Sequence, residues 1–441
     1  MAARITLSTT DLGSTSNSDA PSYWNAENHT GESYLRAEHW KEDMEGLTLP
    51  GRTQIVPVSQ PSGEAILRYV EELKMFAALR DTGVDPYTSK SGPIPKDVPS
   101  MDSGAFLDHH WTWASQEWIK STVRVHWWNS LQDLSSSLDR VISDYNHAAF
   151  VKLSVRSPKD AVARLSITRE RVKEKIRESV EGGCSSEEEL GQNICAIRWA
   201  AWRGLRVSSG EDALQLLLRS DRIYVDILQH QLFSAKGAWD LNVIVSEFFE
   251  GFHPDWEFRG FVSGGVRTGL TAYSPFIFER QQVEKKADIL RLIEKVWDRV
   301  DEKSRVQDYS VDFAVSPECG EGQCWVIEIN AFLPPLAGSG LFSMHDAKDR
   351  DIIKNGPFEF RVKEKPIVEE DFTVVKVDEK TGRTTTVIMQ PATPEVMDWV
   401  KEVRRELKDP KPVQTNGTFL PLSTQQLKFT SERREHQKGG T

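Results

Sequence analysis

Acidic residues on two predicted strands, joined by a short polar turn, form the part of the chain best suited to chemistry. The strands cover residues 308–315 and 324–330, and the turn between them contains Ser, Pro, Glu and Gly. Because successive side chains on a strand alternate between its two faces, Glu328 and Asn330 lie on the same face. A hairpin centred on this turn places Asp312 directly opposite Glu328.

Three hard oxygen donors that converge on one point are typical of a Mg²⁺ site. Two carboxylates at short range repel each other unless a positive charge lies between them. The alternative is a hairpin whose acids simply face water. The residues between the acids are apolar, which makes the hairpin a core element and favours a bound cation. These apolar residues are Val311, Phe313, Val315, Val326, Ile327 and Ile329.

Two further segments carry groups that suit a nucleotide. Lys152 and Lys159 lie on or beside a predicted strand, and lysine is a compact cation that binds phosphate. Taken singly, each lysine is better explained as a solvent-facing residue. Residues 246–248 end a very apolar strand, where backbone amide and carbonyl groups can contact a flat base. By composition alone, that segment is merely the end of a strand.

Glu257 and Arg259 are two residues apart and therefore share one face of a predicted strand. They are either part of the same site or an exposed ion pair. The chain contains no GxxxxGK[ST] motif and no GxGxxG that begins a helix after a strand. A nucleotide site in this chain must therefore be built differently from a P-loop or a Rossmann site.

The bulk composition excludes several classes of protein. The chain has 441 residues, a formal charge of −11 and a pI near 5.5, which argues against broad affinity for nucleic acids or anionic membranes. Its four cysteines show no CxxC spacing, so a zinc site is not indicated. Few cysteines, no signal peptide and no long apolar run predict a reducing location, in the cytoplasm or, alternatively, the nucleus.

The elements that position these groups alternate between hairpins and helices, which predicts an α+β fold. Helices are expected at 64–79, 131–145, 168–180, 185–205, 211–219, 283–300 and 394–407. Strands are expected at 150–154, 241–249, 256–262, 266–273, 372–377 and 384–389. The domain plan is a disordered arm (1–30), an N-terminal region (31–145), a first lobe (146–240), a second lobe with the metal hairpin (241–365), a C-terminal hairpin and helix (366–410) and a polar tail (411–441).

Several strings, taken in order, resemble the cell division cycle protein 123 family. Residues 152–161 are similar to its lysine-led strand and Pro-Lys/Arg-Asp-Ala segment, and residues 256–262 to its Glu-Phe-Arg-Cys-Phe-Val. Asp312 with residues 326–332 resembles its acidic strand pair, which ends in Asp-Phe-Asn-Pro-Phe. The ordered set is more specific than any one string, and it covers roughly residues 145–345.

That family is similar in fold to the ATP-grasp enzymes, which hold Mg-ATP between two α+β lobes. The resemblance implies that Lys152 and Arg259 neutralise phosphate charge and act as the catalytic cations. It also implies a metal site for Mg²⁺ at Asp312, Glu328 and Asn330. The implied ATP-binding residues are Lys152, Ser157, Lys159, Asp160, Ser246, Glu247, Phe248, Glu257 and Arg259.

Departures from the family pattern surround the expected pocket. Glu328 stands where the family has Asp, Val155 where it has Trp, and Ser246-Glu247-Phe248 where it has Arg-Lys-Trp. The first functional hypothesis is therefore an ATP-dependent ligase that joins a small carboxylate to an amine or thiol through an acyl phosphate. The alternative is the family's own role, the assembly of eukaryotic translation initiation factor 2 with bound ATP. A fold kept only as an interaction module is the third hypothesis.

Overall fold

A computed structural model gives the structure of the protein. It describes residues 36–81, 104–162, 166–183, 188–233, 238–320, 323–332, 340–343, 346–368, 373–377, 384–388 and 394–409. The predicted disordered arm and the polar tail lie outside the described residues.

The first sheet has four antiparallel strands in the order β1-β4-β2-β3. These are β1 (Thr53–Pro57), β2 (Ala149–Leu153), β3 (Arg206–Val207) and β4 (Asn242–Glu247). Phe150 and Ser246 are directly paired in this sheet, so the predicted lysine strand and the predicted base-binding strand are neighbours. The sheet takes strands from three of the predicted sequence regions, because β1 precedes residue 145 and β4 follows residue 240.

The second sheet has five strands in the order β8-β7-β5-β6-β9. They are β5 (Glu257–Ser263), β6 (Val266–Ala272), β7 (Tyr309–Val315), β8 (Cys324–Ala331) and β9 (Glu359–Arg361). The predicted hairpins β5–β6 and β7–β8 are both present, and Asp312 pairs with Glu328 as expected. A separate hairpin joins β10 (Thr373–Val377) to β11 (Thr384–Ile388). The two main sheets and their helices confirm the α+β class.

Helices cover the sheets and enclose two main apolar cores, one beside each sheet. Beside the first sheet, Trp118 is fully buried and its indole Nε1 donates a hydrogen bond to Glu72 at 2.7 Å. The helices are α1 (Ala37–Asp43), α2 (Gln60–Asp81), α3 (Gly104–Lys120), α4 (Val125–Asp144), α5 (Ser166–Glu181), α6 (Glu189–Gly204), α7 (Gly210–Arg219), α8 (Asp221–Phe233), α9 (Arg280–Glu284), α10 (Lys286–Lys303), α11 (Ala347–Asn355) and α12 (Pro394–Lys408).

The helix predictions need correction in two respects. The expected helix at 283–300 is two helices, because the backbone turns out of the α conformation at Lys285 (φ −97°, ψ 16°). Helices α1, α3, α8 and α11 were not predicted from the sequence. None of the helices that the structure describes combines the length and apolar character needed to cross a bilayer.

Candidate functional site

A cavity of about 260 Å³ lies between the two sheets and brings many of the predicted residues together. Strands β2 and β4 of the first sheet form one side, and β5 and β8 of the second sheet, with Tyr273 directly after β6, contribute to the other. Six of the predicted ATP-binding residues line it: Lys152, Lys159, Ser246, Glu247, Phe248 and Glu257. The cavity is therefore where the sequence predicted a ligand, although its walls include residues that the sequence did not single out.

One wall of the cavity is aromatic. The rings of Trp202 and Phe248 are stacked, with centroids 4.9 Å apart and an interplanar angle of 29°. Phe150 and Phe252 extend this wall. Trp202 is on α6, so a helix outside both sheets supplies the largest flat surface. Such a wall suits a planar, apolar group such as a purine.

The loop between α1 and β1 closes another side of the cavity and connects the two sheets. The backbone N–H of Val326 in β8 donates to the carbonyl of Leu47, and the N–H of Glu247 in β4 donates to the carbonyl of Arg52. Gly51 lies between these two contacts with φ +118°, and a Cβ there would be 3.0 Å from the Cβ of Glu247. Only glycine fits this close approach without strain.

Behind the cavity, Arg259 and Asp312 form a buried bidentate ion pair on adjacent strands. Arg259 Nε is 2.6 Å from Asp312 Oδ1, and Nη2 is 2.7 Å from Oδ2. Burial opposes the charge on Arg259, but the carboxylate of Asp312 outweighs it and raises the pKa of the guanidinium. Both residues are at most 7% exposed, so each charge needs the other as its partner.

The second carboxylate of the predicted metal site is also paired with a cation. Lys152 donates from its Nζ to Glu328 Oε1 across the space between the sheets. Burial alone raises the pKa of a carboxyl group, but Lys152 and Lys159 overcome it and lower the pKa of Glu328 to about 2. The predicted repulsion between Asp312 and Glu328 is therefore relieved by side-chain cations.

The predicted metal ligands nevertheless lie together. Asp312 pairs with Glu328 in the β7–β8 register, and Asn330 Nδ2 is 3.5 Å from Asp312 Oδ2. Two carboxylates and an amide oxygen are the hard donors that Mg²⁺ prefers. No group of three His, Cys, Asp or Glu side chains in the described part of the chain could hold a metal by itself. These three residues suit Mg²⁺ chemically, and oxygens of the nucleotide phosphates would have to complete the coordination of the ion.

Lys159 and Tyr273 occupy the floor of the cavity beside these pairs. Lys159 lines the cavity, and its ammonium lies 5.4 Å from the centre of the Tyr273 ring, with the guanidinium of Arg259 4.8 Å from the same ring. Tyr273, when ionised, and the nearby carboxylates of Glu257 and Glu328 raise the pKa of Lys159. Lys159 is therefore fully charged at neutral pH.

Glu257 lines the cavity, and its pKa is raised, whereas the pKa of Glu328 is lowered. It is 7% exposed, and burial raises its pKa towards neutrality, although Lys159 and Arg198 oppose the shift. Arg198, on α6, lies 3.9 Å from Glu257 and 3.2 Å from Asp255. A carboxyl group held near its titration point in a cavity is suited to proton transfer.

Two other predicted ATP-binding residues do not line the cavity. The Asp160 carboxylate accepts hydrogen bonds from Ser220 Oγ at 2.6 Å and from the backbone N–H of Arg222 at 3.2 Å. It therefore holds the start of α8. Ser157 is buried and 6% exposed. Ser157 and Asp160 were predicted to bind ATP because they are close to Lys159 in the sequence.

Sequence reasoning missed several residues that line the cavity: Lys41, Gly51, Arg52, Arg198, Trp202 and Tyr273. Most are isolated from the motif strings and come from α1, its following loop or α6. Tyr273 ends the predicted hairpin that contains Arg259, so its position near the site could have been inferred. Nothing in the local sequence of Lys41 or Trp202 indicates which surface they face.

Comparison with known families adds an independent result. Residues 197–386 match the family model described as D123. This stretch of the chain is similar to the D123 family. This confirms the resemblance to the cell division cycle protein 123 family that was drawn from the sequence strings. The D123 match includes β4 to β9, while Lys152 and Lys159 precede it.

Two solved structures are also similar to the chain. The structure of Cdc123 from Schizosaccharomyces pombe has 15% identity and a TM-score of 0.46, and the match covers 76% of this chain and 98% of that one. A C-terminally truncated Cdc123 from the same organism has 14% identity and a TM-score of 0.44, with the same coverage. No protein in the curated set matches the chain.

Proposed function

We propose that this protein binds Mg-ATP between its two sheets, in an ATP-grasp-like arrangement, and acts as an assembly factor for a subunit of eukaryotic translation initiation factor 2. The main support for an ATP site is that one cavity is lined by both an aromatic wall and several cations. Trp202 and Phe248 offer a surface for the purine. Lys152 and Lys159 offer positive charge for phosphates.

The acidic trio supports the metal part of this proposal. Asp312, Glu328 and Asn330 supply oxygen donors, and a bound triphosphate would add further oxygens to the same ion. Mg²⁺ would neutralise phosphate charge in the site. Although burial opposes them, Lys152 and Lys159 lower the pKa of Glu328 to about 2, so metal binding requires no deprotonation of Glu328 at neutral pH.

Similarity to the family favours assembly over catalysis as the use of the nucleotide, because the family's role implied by the resemblance is assembly of the initiation factor. In this role ATP is a bound ligand that stabilises the junction of the sheets. The loop between α1 and β1, which joins both sheets and lines the cavity, supports such a structural use. The partner is then a protein subunit, and the protein works in the cytoplasm.

An ATP-dependent ligase that joins a small carboxylate to an amine or thiol is the second candidate. One observation favours it, which is the raised pKa of Glu257 in the cavity. A carboxyl group near its titration point could take the proton from an attacking amine. In this role Lys152 and Arg259 would neutralise charge on the transferred phosphoryl group.

Calorimetric titration with ATP, with and without Mg²⁺, tests the nucleotide site. We expect binding that is strengthened by Mg²⁺ in the wild type, and we expect Glu328→Gln to lose most of the Mg²⁺ dependence. Absence of ATP binding in both conditions would refute the site.

A pull-down that retrieves the large subunit of the initiation factor supports assembly, whereas ADP release stimulated by a small acid and an amine or thiol supports the ligase.

A further inference from the structure

Lys41 enters the cavity from α1, which no motif connects with a nucleotide site. The helix is firmly anchored, because Trp40 and Met44 are both fully buried in the core beside the second sheet. The chain that follows α1 pairs with β8 through the hydrogen bond between Leu47 and Val326. Lys41 is therefore held at the junction of the two sheets and is not a surface lysine on an exposed arm.

The ammonium group of Lys41 contacts neutral hydroxyl groups. Its Nζ is 2.9 Å from Ser246 Oγ and 3.3 Å from Thr53 Oγ1, so the side chain reaches across to β4 and β1 of the first sheet. These two oxygens orient the ammonium but do not neutralise it. At least one of its protons remains available for another acceptor in the cavity.

Other cations of the cavity have acidic partners. Lys152 is paired with Glu328, Arg198 with Asp255 and Arg52 with Glu247. Across the ranges that the structure describes, no carboxylate oxygen lies within 4 Å of Lys41 Nζ. Burial and the neighbouring charge of Lys152 together lower the pKa of Lys41 to about 8, with Glu328 opposing them. Among the described residues, Lys41 is thus a cavity cation without a counter-ion.

We propose that Lys41 binds a phosphate group of the nucleotide and thereby completes the phosphate site from the N-terminal helix. This inference rests on the proposed ATP site. A phosphate supplies negative charge to Lys41 and to the nearby Lys152, whereas adenine and ribose offer only neutral acceptors. Lys41 lies outside residues 197–386, so the D123 match does not assign it any role.

Titration of ATP and of adenosine into the wild type, Lys41→Met and Lys41→Gln tests this inference. We expect both variants to bind ATP at least about tenfold more weakly, since a hydrogen bond to a charged group is worth about 1.5–3 kcal/mol. Adenosine affinity should be unchanged. Lys41→Gln can still hydrogen-bond to Ser246 and Thr53, so its failure to restore ATP binding separates phosphate binding from a structural role. Lys354→Met, on the exposed face of α11, is the matched control and should bind ATP like the wild type.

The outcomes distinguish this inference from the proposed function. If the wild type binds neither ligand, the ATP site and the role of Lys41 both fail. If the wild type binds ATP and both Lys41 variants bind it equally well, only the role of Lys41 fails. An equal loss of ATP and adenosine affinity would also overturn it, because the contact would then be to the nucleoside. Circular dichroism checks that each variant is folded, and Lys41→Gln serves as the test if Lys41→Met does not fold.

Discussion

Arg259 and Asp312 face each other on neighbouring strands β5 and β7, joined by two hydrogen bonds of 2.6 and 2.7 Å. The pair lies directly beside Glu328, which binds Lys152. The two carboxylates that the sequence assigns to a metal site are therefore each paired with a cation of the protein. Removing any one member of these pairs leaves a buried charge behind, so charge-deleting variants of this site test stability as well as binding.

Replacing Arg259 with methionine should lower the free energy of unfolding by about 3–5 kcal/mol, because Asp312 is 1% exposed and would lose its bidentate partner. Urea denaturation measures this loss. If Mg²⁺ binds to Asp312 and Glu328, adding it should restore more stability to Arg259→Met than it adds to the wild type. The exposed pair of Arg291 and Asp288 provides the control, and Arg291→Met should cost less than about 1 kcal/mol. Equal costs for the two variants would contradict the burial argument.

Replacing Lys41 with methionine should stabilise the ligand-free protein at pH 7, on the order of 1–2 kcal/mol, because an ammonium without a counter-ion leaves the cavity. The pKa of Lys41 is about 8 when folded and about 10.5 when unfolded. Between these values the unfolded chain binds more protons, so the destabilisation by Lys41 declines as pH rises. The stability difference between variant and wild type should shrink from pH 7 to pH 10. A constant difference, measured by urea denaturation at both pH values, would refute this.

Replacing Trp202 with leucine should weaken ATP and adenosine binding by a similar factor, about tenfold, because the aromatic wall would lose the ring that stacks on Phe248. This pattern differs from that expected for Lys41, whose loss affects the phosphorylated ligand alone. Trp128→Leu, which alters a tryptophan packed against the core beside the first sheet, is the control for tryptophan loss. A selective loss of ATP binding in Trp202→Leu would show that the purine lies elsewhere.

Replacing Gly260 with alanine should destabilise the protein by about 1–3 kcal/mol, because the new Cβ would be 2.4 Å from the buried ring of Trp297. The family string has a cysteine at this position, and here the indole occupies the space of that side chain. Combining Gly260→Ala with Trp297→Leu should cost less than the sum of the two changes. Gly191→Ala on α6, where a new Cβ would have its nearest heavy-atom neighbour 3.9 Å away, should not destabilise the protein. Thermal unfolding of the four variants measures these effects.

Local patterns predicted much of the fold. Alternating apolar residues predicted the strands of the β7–β8 hairpin, and the position of the turn between them predicted the pairing of Asp312 with Glu328. The same logic located the β5–β6 hairpin and placed Glu257 and Arg259 on one face. The break at Lys285 was missed, since the apolar stripe continues through it and one residue's dihedral angles leave no trace in the spacing.

By itself, the amino-acid sequence determined the α+β class, the similarity to the D123 family and the residues of the acidic hairpin, because these depend on short-range periodicity and on ordered strings. The tertiary structure decided which charges meet. Lys152 and Glu328 are 176 positions apart, and Lys41 and Ser246 are 205 apart. Such contacts follow from how the two sheets and α1 pack together. Packing between elements that are far apart in the chain leaves no periodic pattern in the sequence, so the sequence could not predict these contacts.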